Sequence, residues 1–292
     1  MIQGNSPPSP QAVVAAFETF RDGALRTVGT LFVPPALWAN IDHWDSGDAQ
    51  SLSRMLDPFQ GRSDSAARDK LAFLTSSPEG QTRIACFQVK ARSAAPIFCG
   101  NATAAALSLL ANKSGESRIR AKVISADASI EATATFEENE DGVLVHHEWE
   151  VGLTPSLFED VLFDRPAIHL DWLNDYWIVL GPISGPEHDL VAAIGAGASL
   201  NSRVAIVDAS EDVPQVRFYN PNGLHGAAPH TGLLALALAC EAVSWLKDGL
   251  SARQISTPSS YEWVPIAVHT EDGVKFGLPD VRVRLNWTQW NL

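Results

Sequence analysis

Basic residues are scarce in this 292-residue chain, where 21 Lys and Arg face 34 Asp and Glu for a formal charge of −13. They form no stripe able to neutralise phosphates, so nucleic-acid binding is not expected. Cysteine is scarcer still. Cys86, Cys99 and Cys240 are too few and too scattered for a disulfide framework or a CxxC-type zinc site, so each has to be judged singly. No apolar run approaches the roughly 18 residues of a membrane span. The start, MIQGNSPPSPQ, has neither a basic n-region nor an apolar h-region, and a cytoplasmic protein is expected. GxGxxG, P-loop and GxSxG patterns are also missing, which argues against dinucleotide, nucleotide-phosphate and serine-hydrolase chemistry in their common forms. The short GAGAS at 195–199 does not restore them. His146-His147-Glu148 lies in a strand pattern that sends the two histidines to opposite faces, so no metal is expected there.

What the chain does have is apolar content, at 46%, enough for two domains of roughly 100 to 200 residues each. Residues 1–10 are polar and proline-rich and read as a frayed terminus, followed by a helix over Gln11 to Arg21 from the spacing of Val13, Val14, Phe17 and Phe20. Strand patterns then recur in RTVGTLFV, TRIACFQVK, RIRAKVISA, ASIEATATF, GVLVHHEWEV, YWIVLG, RVAIVDA, QVRFY and VRVRLNW. Long helices are expected at Ala102–Lys113, Asp189–Ser199 and Thr231–Leu250. The first and last are Ala/Leu-rich with almost no charge, the mark of buried helices. The nine tryptophans fit a sheet-rich core better than a lined pocket.

Those two buried helices begin alike. Phe98-Cys99-Gly100-Asn101 and Ala228-Pro229-His230-Thr231-Gly232 each join a strand through a small-residue turn to a helix, about 130 residues apart. A repeat at half the chain length implies two copies of one unit whose turns meet at a shared cleft. Cys99 sits where free backbone N–H groups and the helix dipole favour a thiolate, whereas Cys86 and Cys240 fall in core patterns. Asn101 and Thr103 follow it as caps or ligand donors. His225 and His230 are candidate acid/base groups near neutral pH. Thr231 and Gly232 lie where helix N–H groups would hold a carboxylate.

With Cys99-Gly100-Asn101 at one helix start and Pro229-His230-Thr231-Gly232 at the other, the chain resembles the diaminopimelate epimerase superfamily. That group also includes proline racemases, hydroxyproline epimerases, methylaconitate isomerases and the phenazine-biosynthesis isomerase. The resemblance implies an α/β (α+β) fold of two pseudo-symmetric domains, each a curled, mostly antiparallel sheet around a central buried helix. The domains would span 11–147 and 148–280, with 281–292 returning to the first. Asn174, in LDWLNDYWIVL, stands where the family has the Asn of a Gly-Asn-Pro-His segment; Asp175 and Tyr176 replace the proline and histidine.

The departures matter as much. Pro229 occupies the place of the family's second cysteine, His225 that of a substrate-binding glutamate and Pro221 that of an arginine, so diaminopimelate is not the expected substrate. What remains is a one-thiol site suited to shifting a double bond, because a single acid/base group can serve one face. The resemblance therefore implies a cofactor-independent isomerase of a small unsaturated or amino carboxylic acid. Secondary metabolism, such as the alkylproline units of antibiotics, would suit it. Cys99 would act with His225 or His230, and Gly100, Asn101, Asn174, Thr231 and Gly232 would bind substrate. A racemase pairing Cys99 with a histidine, a non-catalytic binding protein on the same fold and a histidine-based metalloenzyme are the alternatives. The small carboxylic acid is the expected partner, with a homodimer among the assemblies open to it.

Overall fold

A computed structural model describes residues 11–21, 24–33, 70–76, 81–88, 98–124, 128–139, 142–162, 164–173, 175–181, 202–220, 223–225, 228–250, 253–259 and 261–291. The expected frayed start, the helix at 189–199, the GAGAS stretch, Asn174 and Pro221 lie outside these.

The first sheet contains β1 (Gln11–Arg21), β2 (Ala24–Val33), β3 (Lys70–Ser76), β4 (Thr82–Gln88), β5 (Arg118–Ile124), β6 (Ser129–Asn139) and β7 (Gly142–Gly152), with β16 (Ile266–Thr270) and β17 (Gly273–Asn291) from the chain end. Its order is β1-β2-β3-β4-β5-β6-β7-β17-β16, and β17 pairs with β1 as well, so the path closes on itself. The 19 residues of β17 make this possible: Val274–Val283 pair with β7, and Arg282–Asn291 pair with β1. Its register slips between Leu278 and Val281, where Pro279 has no N–H for the ladder. The return to the first sheet thus begins at Ile266.

The second sheet runs β15 (Tyr261–Trp263), β14 (Gln254–Ser256), β12 (Gln215–Asn220), β11 (Arg203–Asp208), β10 (Asp175–Leu180), β9 (Arg165–Asp171), β8 (Ser156–Leu162), and β13 (Gly223–His225) pairs with β12. The two sheets repeat one pairing pattern. β1–β2, β3–β4 and β5–β6 are antiparallel while β2–β3 and β4–β5 are parallel. Likewise β9–β10, β11–β12 and β14–β15 are antiparallel while β10–β11 and β12–β14 are parallel. In both, the second parallel pair is joined through a buried helix: α1 (Gly100–Ser114) between β4 and β5, and α2 (His230–Ala242) between β12 and β14.

α1 packs against β1 to β6 and β17, and α2 against β9, β10, β16 and α1. Every residue from Gly232 to Cys240 of α2 is buried, consistent with a helix apolar on all sides. Burying a leucine contributes roughly 1.5–3 kcal/mol, so Leu233, Leu234, Leu236 and Leu238 fix α2 firmly. One core joins both helices and both sheets, with Trp149 and Trp172 inside it, whereas Trp263 on the edge strand β15 is 43% exposed. α1 ends at Gly115, whose left-handed φ of 73° lets its N–H cap the Ala111 carbonyl.

Two expected helices differ. Gln11–Arg21 is the strand β1: its apolar spacing admits a helix, but its backbone groups are taken by β2 on one side and β17 on the other. Those partners are distant in sequence and override the local period. The helix expected over Thr231–Leu250 is broken, because Val243 is extended at φ −128° and ψ 118° and separates α2 from α3 (Ser244–Gly249).

Candidate active site

Cys99 is the N-cap residue of α1, extended at φ −135° and ψ 101°. Phe98 before it is buried edge-on against Trp149, with ring centroids 5.3 Å apart. Behind it, Thr103 donates both its N–H (2.9 Å) and its hydroxyl (3.0 Å) to the Cys99 carbonyl. Thr103, read as a cap or ligand donor, is therefore a buried clamp on the cysteine backbone. No side chain caps this helix and no acidic residue lies in its first turn, so the helix's own residues supply no anion to its N-terminal N–H groups. Among the three cysteines, Cys99 alone is partly exposed; Cys86 and Cys240 are buried, and burial pushes the Cys240 thiol up to about 12.

The start of α2 has the same form. Pro229 is its extended N-cap (φ −68°, ψ 144°), again without a side-chain cap or an acidic first turn. One expected donor is already used: Gly232 gives its N–H to the Pro229 carbonyl at 2.9 Å, and Leu233 shares that acceptor at 3.0 Å. Gly232 serves packing instead, since a Cβ there would lie 2.7 Å from the Phe218 ring and 3.0 Å from Pro229.

The two helix starts meet. A Cβ placed on Gly100 would fall 2.6 Å from His230 Cβ and 3.0 Å from its Cγ and Nδ1, so the imidazole rests against the glycine next to Cys99. Gly100 is glycine because His230 fills the place of a side chain. Asn101 is the second residue of α1. His225 lies on β13 directly opposite Phe218. Opposed residues of an antiparallel pair share a face, so His225 stands on the α2 side of the sheet, beside the ring that packs on Gly232.

Three groups here were not among the expected site residues. Tyr176 Oη lies 3.0 Å from Thr231 Oγ1, tying β10 to the start of α2. Arg203 stands opposite Tyr176 in the parallel β10–β11 pair, its guanidinium carbon 5.8 Å from the ring centroid. Burial pushes the Tyr176 phenol up, with Arg203 and the Thr231 bond acting the other way, so it remains a neutral hydroxyl near pH 7. Asp175, beside Asn174, is engaged on both oxygens, by His169 Nε2 at 2.5 Å and by the Ser202 hydroxyl. It pins the β9–β10 turn and is not available as a base. Trp172 in that turn donates to the Leu153 carbonyl at 2.9 Å and stacks obliquely on Phe276 of β17 at 5.5 Å, joining the two sheets beside the site.

Among the described residues no three His, Cys, Asp or Glu side chains cluster as metal ligands, and no helix is long and apolar enough to cross a membrane. His147 is buried and His146 exposed, on opposite faces of β7.

No family model and no curated protein matches this sequence. Solved structures do. A protein from Pseudomonas aeruginosa described as a predicted epimerase aligns over 97% of this chain and 99% of its own, with 14% identity and a TM-score of 0.58. A phenazine biosynthesis protein of the PhzF family from Enterococcus faecalis covers 97% and 100% at 12% identity and TM-score 0.51. A hydroxyproline epimerase from Agrobacterium vitis, with bound trans-4-hydroxy-L-proline, covers 96% and 93% at 11% identity and TM-score 0.51. The chain has the epimerase-like fold to which its two helix-start motifs pointed.

Proposed function

We propose that this protein is a cofactor-independent isomerase that moves a proton on a small unsaturated or amino carboxylic acid. The carrying observation is the contact of Gly100 with His230, which puts two uncapped helix starts and one partly exposed thiol at a single point. A carboxylate there would accept from the N–H groups of Gly100, Asn101 and Thr231. The Cys99 thiolate takes a proton from an activated carbon of the substrate. The electron pair left behind spreads toward the carboxylate, where the N–H groups stabilise the enolate-like charge. The thiol then returns the proton to a different carbon on the same face, which shifts the double bond and restores the thiolate.

His230 is the partner group in this reading, since it touches the glycine adjoining Cys99. Pro229 fills the place of a second thiol, and His225 and Pro221 replace groups that would recognise diaminopimelate, so a role in secondary metabolism such as alkylproline formation fits better.

A racemase is the second reading, favoured by the place of His230 beside the vacated cysteine position, from which it would return the proton on the opposite face. Turnover in deuterium oxide followed by NMR separates the two. An isomerase places deuterium at a carbon remote from the α-position and keeps optical purity. A racemase labels the α-carbon and loses it, and absence of label from both would rule out proton transfer with solvent-exchanging groups.

A further inference from the structure

Beside the second sheet, Arg253 is held by Glu241 at 2.5 Å and by the Pro265 carbonyl at 2.8 Å. Arg203 lies over the Tyr176 ring instead and, among the described residues, pairs with no carboxylate. Its position follows from register. Tyr176 and Arg203 are opposed across a parallel pair and so share a face, and that face is the one on which Ile178, Ala205 and Val207 enter the core around α2. Arg203 is the first residue of β11 and Tyr176 the second of β10, so both lie at the strand ends from which Tyr176 reaches Thr231. A guanidinium over a buried neutral phenol, and that phenol's hydroxyl against the Thr231 hydroxyl, thus connect the second sheet to the start of α2, where His230 touches Gly100 beside Cys99.

We infer that Arg203 anchors a second anionic group of the substrate, which makes the ligand a small dicarboxylate rather than a simple amino acid with one carboxylate. This rests on the reading that the first carboxylate sits at the helix starts. Those N–H groups can neutralise one anion and carry no full positive charge. A half-buried guanidinium that pairs with no carboxylate among the described residues matches a ligand carboxylate bidentately. The Tyr176 ring lies 5.8 Å from that guanidinium carbon and contributes a hydroxyl rather than a competing phenolate. The net charge of −13 would otherwise repel a dianion, so a cation facing the site is what such a ligand needs.

Isothermal titration with glutarate and with butyrate, the same chain less one carboxylate, tests this without knowledge of the natural substrate. The wild-type protein should bind glutarate more tightly than butyrate by about 10- to 100-fold, the range of a charge-assisted bond. Arg203→Met should lose that preference and leave butyrate affinity unchanged, and Arg203→Lys, which keeps charge without the fork, should fall between. Equal affinity of the wild type for the two acids, binding of neither, or an undiminished preference in Arg203→Met overturns the inference. Because the wild-type ratio is itself decisive, a misfolded variant does not blunt the test. Cys99→Ser should bind glutarate as the wild type does, so a failure of the catalytic assignment and a failure of the dianion assignment appear in different measurements.

Discussion

Replacing Cys99 with alanine is expected to lower turnover by about 10²- to 10⁴-fold, the usual contribution of a positioned acid/base group. The protein should remain folded, because Cys99 is only partly buried and the clamp on its carbonyl comes from Thr103, which the substitution leaves in place. Cys99→Ser should be nearly as inactive, since a hydroxyl with the same partners is a far weaker base than a thiolate near neutral pH. Steady-state kinetics beside thermal unfolding would show a fall in kcat with little change in Tm. Loss of both together would instead make Cys99 a packing residue.

The second large effect is expected at Gly100. An alanine Cβ would lie 2.6 Å from His230 Cβ, closer than carbon atoms approach in proteins, and the obstacle is the root of a side chain rather than a flexible tip. The two helix starts would have to part. Overpacking of this kind costs about 1–3 kcal/mol. A misplacement of roughly 1 Å at a reacting centre can cost about 100-fold in rate. Gly100→Ala should therefore lower Tm moderately and kcat/KM severely. Gly115→Ala is the matched control: it forces a left-handed φ of 73° at the far end of the same helix, with nothing within 4 Å of the added carbon. It should lower stability by about 1 kcal/mol and leave kcat/KM intact. Equal kinetic losses in both variants would mean that Gly100 acts through helix stability alone.

The parts of this molecule legible in its sequence are those written locally. Cys99 and His230 stood out because a small-residue turn before an uncharged Ala/Leu helix is a local pattern, and the helix starts do come together. Strand patterns such as RVAIVDA and YWIVLG form β11 and β10 for the same reason. The helix expected at Gln11–Arg21 is a strand because its identity depends on β17, some 270 residues away. Gly232 was expected to donate to a ligand, yet its N–H turns back to the Pro229 carbonyl, a choice between tight and regular first turns that composition does not reveal. Tyr176 and Arg203 were invisible as a pair: 55 residues separate Tyr176 from Thr231, and the register of a parallel strand pair brings Arg203 beside it. Asp175 marks the other side of that limit: the sequence shows a carboxylate next to Asn174, and only the structure shows that His169 and Ser202 hold it in place.

The two sheets repeat one pairing pattern, and in each the buried helix begins without a side-chain cap, the first after Cys99 and the second after Pro229.

Alkylation with iodoacetamide followed by mass spectrometry tests the central assignment most directly. At about pH 8 one thiol should react in the folded protein, because Cys99 is partly exposed while Cys86 and Cys240 are buried, and burial pushes the Cys240 thiol up to about 12. Modification of Cys99 should proceed in step with loss of turnover, and saturating substrate should slow both. A protein fully alkylated at Cys99 that still turns over its substrate would contradict the account.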